Sequence, residues 1–172
     1  LFLNDNHLWF LKGLPKCSNN VDITLKYLKS KILESKCNEI IMVGYSIGGF
    51  GALLYGSLLN VSCVITYNPY TYLDENTRKK YNDNRWDDYG GLKYIHQNVE
   101  QKYLNLKNLP KSSTKIIVLY LRNNFVDLSH YYNLKTNKNL EVYGYGINKN
   151  NFLFESNLKD HIEKYIKHLV IN

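Results

Sequence analysis

The chain has 172 residues, 44% apolar and 22% charged, enough for one domain with a substantial core and too apolar for a disordered chain. Its formal charge is +7, from 22 basic and 15 acidic side chains. The lysines are scattered, which reads as a solvated surface; an anionic partner is the other reading, but no nucleic-acid motif accompanies the charge.

No run approaches the roughly 18 apolar residues of a membrane span, and no signal peptide opens the chain. Leu1 is not preceded by Met and lies already inside an apolar run, so sequence upstream of it is expected. Cys17, Cys37 and Cys63 are odd in number, widely spaced and without a C-x-x-C pair, which gives neither a zinc pattern nor a disulfide framework and suits a reducing cytoplasm.

L-F-L at 1–3 reads as a short strand ending at Asn4-Asp5. Residues 21–36 place Val21, Leu25, Leu28, Ile32 and Leu33 at helical spacing, with Asp22 and Thr24 as capping candidates. A compact apolar strand is expected over 39–43, a helix of small and apolar residues over 48–59, and a strand over 61–67 stopped by Asn68-Pro69. Residues 70–110 exceed a simple crossover and hold two short helical patterns, 74–81 and 92–99. They read as a small cap insertion over the active-site edge, or as an ordinary crossover helix with a long loop. Strands follow at 115–121 and 140–145, and an amphipathic helix at 156–170.

Strands alternating with helices imply an α/β fold, a mostly parallel sheet with helices on both faces, in one domain spanning 1–172. Runs such as I-I-M-V and I-I-V-L suit strands covered on both faces. Ligands in such sheets bind beyond the carboxyl ends of the strands, so the loops starting at 4, 44, 67, 121 and 145 are the ones to inspect.

Gly44-Tyr45-Ser46-Ile47-Gly48 matches G-x-S-x-G, between a strand and a helix. Such a turn presents a serine hydroxyl at the sheet edge, and the flanking glycines avoid clashes with strand and helix. The Ile47 amide at the helix start is a candidate oxyanion donor. Gly49, Gly51 and Ala52 are expected to let the helix pack closely on the sheet. A phosphate-binding turn is the other reading, but the stretch lacks the G-K-S/T ending and does not fit G-x-G-x-x-G.

With these elements in this order, the chain resembles an α/β-hydrolase over nearly all of its length, in reduced form. N-D-N-H-L-W-F-L-K-G-L, G-Y-S-I-G-G-F-G-A-L-L, Y-N-P-Y-T-Y-L and N-D-N-R-W look most like the small bacterial hydrolase-like proteins of capsule and surface-polysaccharide clusters. The resemblance implies serine-dependent acyl-ester chemistry, as an esterase or a polysaccharide O-acetyltransferase. It implies a small ester or glycan substrate and no resident cofactor, with acetyl-CoA as acyl donor in the transferase case. Ser46 would be the nucleophile. Asp127, the sole acid in the R-N-N-F-V-D-L-S-H loop after the 115–121 strand, would be the acid that orients a base; a helix N-cap is its other reading. The second oxyanion donor would come from the first loop, near Asn6 or His7. Tyr45, Arg85 and Trp86 are candidate substrate contacts, the last two alternatively a surface stack.

The base is where the pattern departs. The resemblance places a histidine after the last strand, and Asn150 stands there. Asparagine cannot take a proton from serine, and without a base the hydroxyl is a poor nucleophile. Three explanations stay open: another histidine serves (His7, His130, His161 or His168); Asn150 is an inactivating replacement; or the chain is a catalytically silent module that binds a glycan or protein. Dispersed histidines give no metal-ligand spacing.

Overall fold

In the computed structural model, which describes residues 8–85, 91–147 and 163, the apolar runs form four strands. These are β1 (Ile41–Tyr45), β2 (Cys63–Tyr67), β3 (Lys115–Leu121) and β4 (Glu141–Ile147), all parallel and ordered β1-β2-β3-β4. Helices α1 (Trp9–Lys12) and α2 (Val21–Ser35) precede β1. The crossovers are α3 (Ser46–Leu59), then α4 (Glu75–Lys80) with α5 (Gly91–Asn98), then α6 (Phe125–Lys135). The strand expected at 1–3 and the helix expected at 156–170 lie outside the described residues.

Alternation along each strand sorts the core into two layers, because successive side chains leave a strand on opposite faces. Val64, Ile116, Val118 and Val142 pack with Leu53, Leu54 and Leu134. Cys63, Ile65, Tyr67, Ile117 and Leu119 form the layer on the other face. All of β2 is buried, as a strand between neighbours with both faces covered must be. α3 is buried continuously from Gly49 to Ser57, which explains a helix with so little polar surface.

The boundaries differ from expectation where backbone capping decides them. α2 is capped by Asn20, whose Oδ1 accepts from the Ile23 amide at 2.9 Å, rather than by Asp22 or Thr24. An N-cap must be extended and precede the helix, as Asn20 is at φ −159°. Asp22 instead accepts from the Tyr103 hydroxyl, and the Thr24 hydroxyl donates back to the Asn20 carbonyl. β2 begins at Cys63 rather than 61, since the Val61 amide still closes the end of α3 onto the Gly56 carbonyl. β1 runs on to Tyr45 and α3 starts directly at Ser46, with no loop residue between them.

The long β2–β3 connection at 70–110, the insertion under either reading, is pinned at its base. Tyr72 bridges Asn105 antiparallel, the Leu73 amide donates to Leu104 O at 2.7 Å, and the Leu106 amide to Thr71 O at 2.8 Å. Among the described residues no helix is long and apolar enough to cross a membrane.

Candidate active site

The β1–α3 junction is the tightest turn in the sheet. Ser46 has φ 51°, in the left-handed region that a side chain enters at a cost of about 1–2 kcal/mol. A Cβ on Gly44 would lie 2.6 Å from the Gly48 carbonyl oxygen and 2.6 Å from the Gly49 Cα. A Cβ on Gly49 would lie 2.7 Å from the Pro69 Cβ. The clash expected at Gly48 is absent: nothing lies within 4 Å of a Cβ there. The small residues of α3 also face other neighbours than the sheet, Gly49 meeting Pro69 and Gly51 meeting Phe10. Ile47 stands in the first turn of α3, where an amide has no acceptor within its own helix. Tyr45, its Cα paired with Tyr67, is exposed. A groove of about 640 Å³ runs along β1 past Tyr45 and Gly48, lined also by Trp9, Ile32, Met42 and Tyr55.

The segment after β2 holds this turn. The Tyr70 amide donates to the Ser46 carbonyl at 3.1 Å. Asn68, at φ 41°, is latched to β3 on both sides: its amide donates to Leu119 O at 2.7 Å, and its Oδ1 accepts from the Leu121 amide at 3.0 Å.

Asp127 lies in the first turn of α6 and is 6% exposed. It does not cap that helix. Asn124 does, accepting from the Val126 and Asp127 amides. Arg85 reaches Asp127 from the insertion, Nη1 donating to Oδ1 at 3.2 Å. The same guanidinium grips Asp83 with both arms, Nε to Oδ1 at 2.8 Å and Nη2 to Oδ2 at 3.0 Å. It also lies 4.4 Å from the centroid of the Tyr70 ring. The anion that Arg85 holds is therefore the protein's own pair of carboxylates. Burial raises the Asp127 carboxyl above the ordinary carboxylate range, with Arg85 pulling the other way. Burial would raise Asp83 too, but hydrogen bonds from His130 and Arg85 outweigh it and hold that carboxyl well below the usual range.

His130 sits one turn beyond Asp127 on α6 and is 1% exposed. The Thr71 amide donates to its Nδ1 at 3.1 Å, so the ring proton is on Nε2, which donates to Asp83 Oδ2 at 3.1 Å. The Tyr72 ring stacks on the imidazole at 3.9 Å. Burial lowers its pKa to about 4. With both nitrogens engaged inside the protein, His130 is not placed to take a proton from Ser46. His96 lies on α5, its Nε2 against the Leu73 carbonyl at 2.8 Å. Neither described histidine is offered to the elbow, the strand-to-helix turn at Ser46. Asn6, His7, Trp86, Asn150, His161 and His168 lie outside the described residues. Among the described residues no group of three or more His, Cys, Asp or Glu is arranged to hold a metal.

Residue reasoning alone gave no role to Asp83, Thr71, Asn105 or Asn133. Asn133 Nδ2 donates to Thr71 O, Thr71 Oγ1 and Asn105 Oδ1, tying α6 to the base of the insertion. The available signal was the Asp-x-Arg spacing in N-D-N-R-W, which places a carboxylate within reach of a guanidinium two residues on.

No family model matches the chain, and no curated protein does. Solved structures do. An α/β-hydrolase enzyme from the metagenome of sediments of the Mar Chica lagoon, Morocco, is 16% identical with a TM-score of 0.53, covering 91% of this chain and 74% of its own. The chain has the α/β-hydrolase fold. The capsule O-acetyltransferase of Neisseria meningitidis serogroup A shares that α/β-hydrolase likeness at 18% identity and a TM-score of 0.54, over 87% of this chain and 64% of its own. A lipase/esterase from Lactobacillus plantarum is 10% identical with a TM-score of 0.56, over 92% of this chain and 68% of its own. The chain thus spans 64 to 74% of the length of these three α/β-hydrolase-fold proteins.

Proposed function

We propose that the site performs acyl-ester chemistry through Ser46. The observation that carries this reading is the left-handed serine on a strand-to-helix turn whose flanking Gly44 and Gly49 positions admit no Cβ. Ser46 Oγ attacks the ester carbonyl carbon. The hydroxyl proton passes to a base, the tetrahedral oxyanion is held by the Ile47 amide, and the bond to the leaving group, an alcohol for an ester or the thiol of CoA for acetyl-CoA, breaks as that group recovers the proton. Water then releases the acyl group in an esterase, or a sugar hydroxyl takes it in an O-acetyltransferase. Acetyl or similar small esters, including those of surface glycans, are the substrate class, and acetyl-CoA is the acyl donor in the transferase case. Asp127 would orient that base, a histidine in the resemblance, whose expected position is held here by Asn150.

One observation favours a second reading, a silent binding module: both ring nitrogens of His130 and the Nε2 of His96 face internal partners, and position 150 is Asn. Incubation with p-nitrophenyl acetate or a serine-directed phosphonate, followed by mass analysis, separates the two. An adduct on Ser46 of the native chain supports the acyl-transfer reading; an adduct only after Asn150→His supports an acyl-transfer site inactivated at position 150. No adduct in either protein refutes it and leaves the binding module.

A further inference from the structure

We propose that Arg85 is a positioning residue for Asp127, locked in place by Asp83 and His130, and that it joins the acid helix to the elbow across the insertion. The inference rests on the acyl-transfer reading and adds to it a group that neither touches substrate nor takes a proton.

The geometry is a chain of fixed contacts. The Ser46 carbonyl accepts from the Tyr70 amide. The Tyr70 ring carries the Arg85 guanidinium on its face. That guanidinium donates to Asp127 Oδ1. An acid meant to orient an imidazole needs one oxygen held and the other available. Here Oδ1 is occupied by Arg85, and among the described residues Oδ2 accepts no hydrogen bond.

Arg85 is itself over-determined. Its planar fork meets Asp83 with two parallel hydrogen bonds, the arrangement that fixes direction as well as distance. Asp83 in turn accepts from His130 Nε2, and the His130 ring is set by the Thr71 amide on its other nitrogen. A 33% exposed arginine side chain would otherwise sample many rotamers. The cluster therefore spends its buried contacts on one outcome, a single orientation of Arg85.

Charge balance points the same way. With His130 neutral and both carboxylates ionised, Asp83, Arg85 and Asp127 sum to one negative charge. An imidazolium formed beside Asp127 during acyl transfer would meet that charge in a site largely shielded from water. Among the described residues the charged groups facing Asp127 are Arg85 and Asp83, both from the insertion, while Tyr70, Tyr72 and His130 enclose the same cluster.

Two readouts test this in the Asn150→His protein, with and without Arg85→Met or Arg85→Lys. The first is the carboxyl titration of Asp127 by carbon-13 NMR. The second is the rate of phosphonate labelling at Ser46, with guanidinium ion added back. Arg85→Met is expected to raise the Asp127 pKa further and to slow labelling roughly 10²-fold, the loss that a misplacement of about 1 Å produces. Free guanidinium is expected to restore part of the rate, which repair of a merely structural role would not do. Arg85→Lys keeps charge without the fork and is expected to fall between, and it serves where the Met variant fails to fold. An unmoved Asp127 titration overturns the inference whatever Ser46 does. A moved titration with unchanged labelling overturns it as well. Absence of labelling in the Asn150→His parent refutes the acyl-transfer reading itself and reduces the Arg85–Asp127 pair to a structural one.

Discussion

Buried His130 makes the stability of the fold depend on pH in a window where few other groups titrate. Its pKa falls from an ordinary 6.5 to about 4 because burial penalises the cation. Above 6.5 both folded and unfolded chains hold the neutral ring, and below about 4 both hold the cation. Between those values only the unfolded chain binds the proton, so acidification favours unfolding. Taken from pH 7.5 to 4.5, the linkage amounts to roughly 2–3 kcal/mol, a sizeable part of the 5–15 kcal/mol typical of a domain. Asp83, held low, loses its contribution only under more acidic conditions. Asp127, raised by burial, acts with the opposite sign, taking up its proton in the folded state first. Urea unfolding at several pH values, run on the native chain and on His130→Gln, isolates the effect. Glutamine offers one acceptor for the Thr71 amide and one donor for Asp83 without a titrating ring, and groups remote from this cluster cancel in the difference. The expected result is a steeper loss of stability with acid in the native chain. Parallel curves for the two proteins would refute the assignment of His130 as a buried neutral imidazole.

At the elbow, Gly49→Ala is expected to lower stability by about 1–3 kcal/mol, since its Cβ would fall 2.7 Å from that of Pro69. Gly48→Ala meets open space and gains helix propensity, so its melting temperature is expected to match or exceed that of the native chain. Ser46→Gly is expected to raise thermal stability slightly, by about 0.5–1 kcal/mol, as relief of the left-handed strain exceeds the added chain entropy of glycine. A destabilised Ser46→Gly protein would mean that the turn is not strained.

The strands were legible as short apolar runs: β2 stops at Asn68-Pro69 and β3 falls on the expected residues 115–121, whereas β1 runs on through Gly44 to Tyr45. The elbow was legible because its steric demands leave few residue choices. The cap of α2 was misplaced, because Asn, Asp and Thr within five residues of each other are all competent caps and only backbone φ selects among them. The environments of His130 and Asp83 were not legible at all. The two are 47 residues apart, and their pairing exists only once the insertion folds back over α6. Periodicity and motif carry local information; a buried polar network is long-range, and its members look in sequence like ordinary surface residues.

Y-N-P-Y-T-Y, a motif with no chemistry of its own, acquires a mechanical meaning from these contacts. Asn68 fastens the exit of β2 to β3. Pro69 fills the space that Gly49 leaves open. Tyr70 binds the Ser46 carbonyl, Thr71 sets the His130 ring, and the Tyr72 hydroxyl meets Ser129 Oγ at 2.6 Å. Five successive residues thus hold the turn at Ser46, the base of the insertion and α6 to one another. A serine kept in a disfavoured backbone region needs surroundings that over-determine it. Here the restraint comes from this segment and from Gly44 and Gly49, the glycines on either side of Ser46. The same segment aims Arg85 through the Tyr70 ring, so backbone strain at the elbow and the orientation of Asp127 have a common physical source.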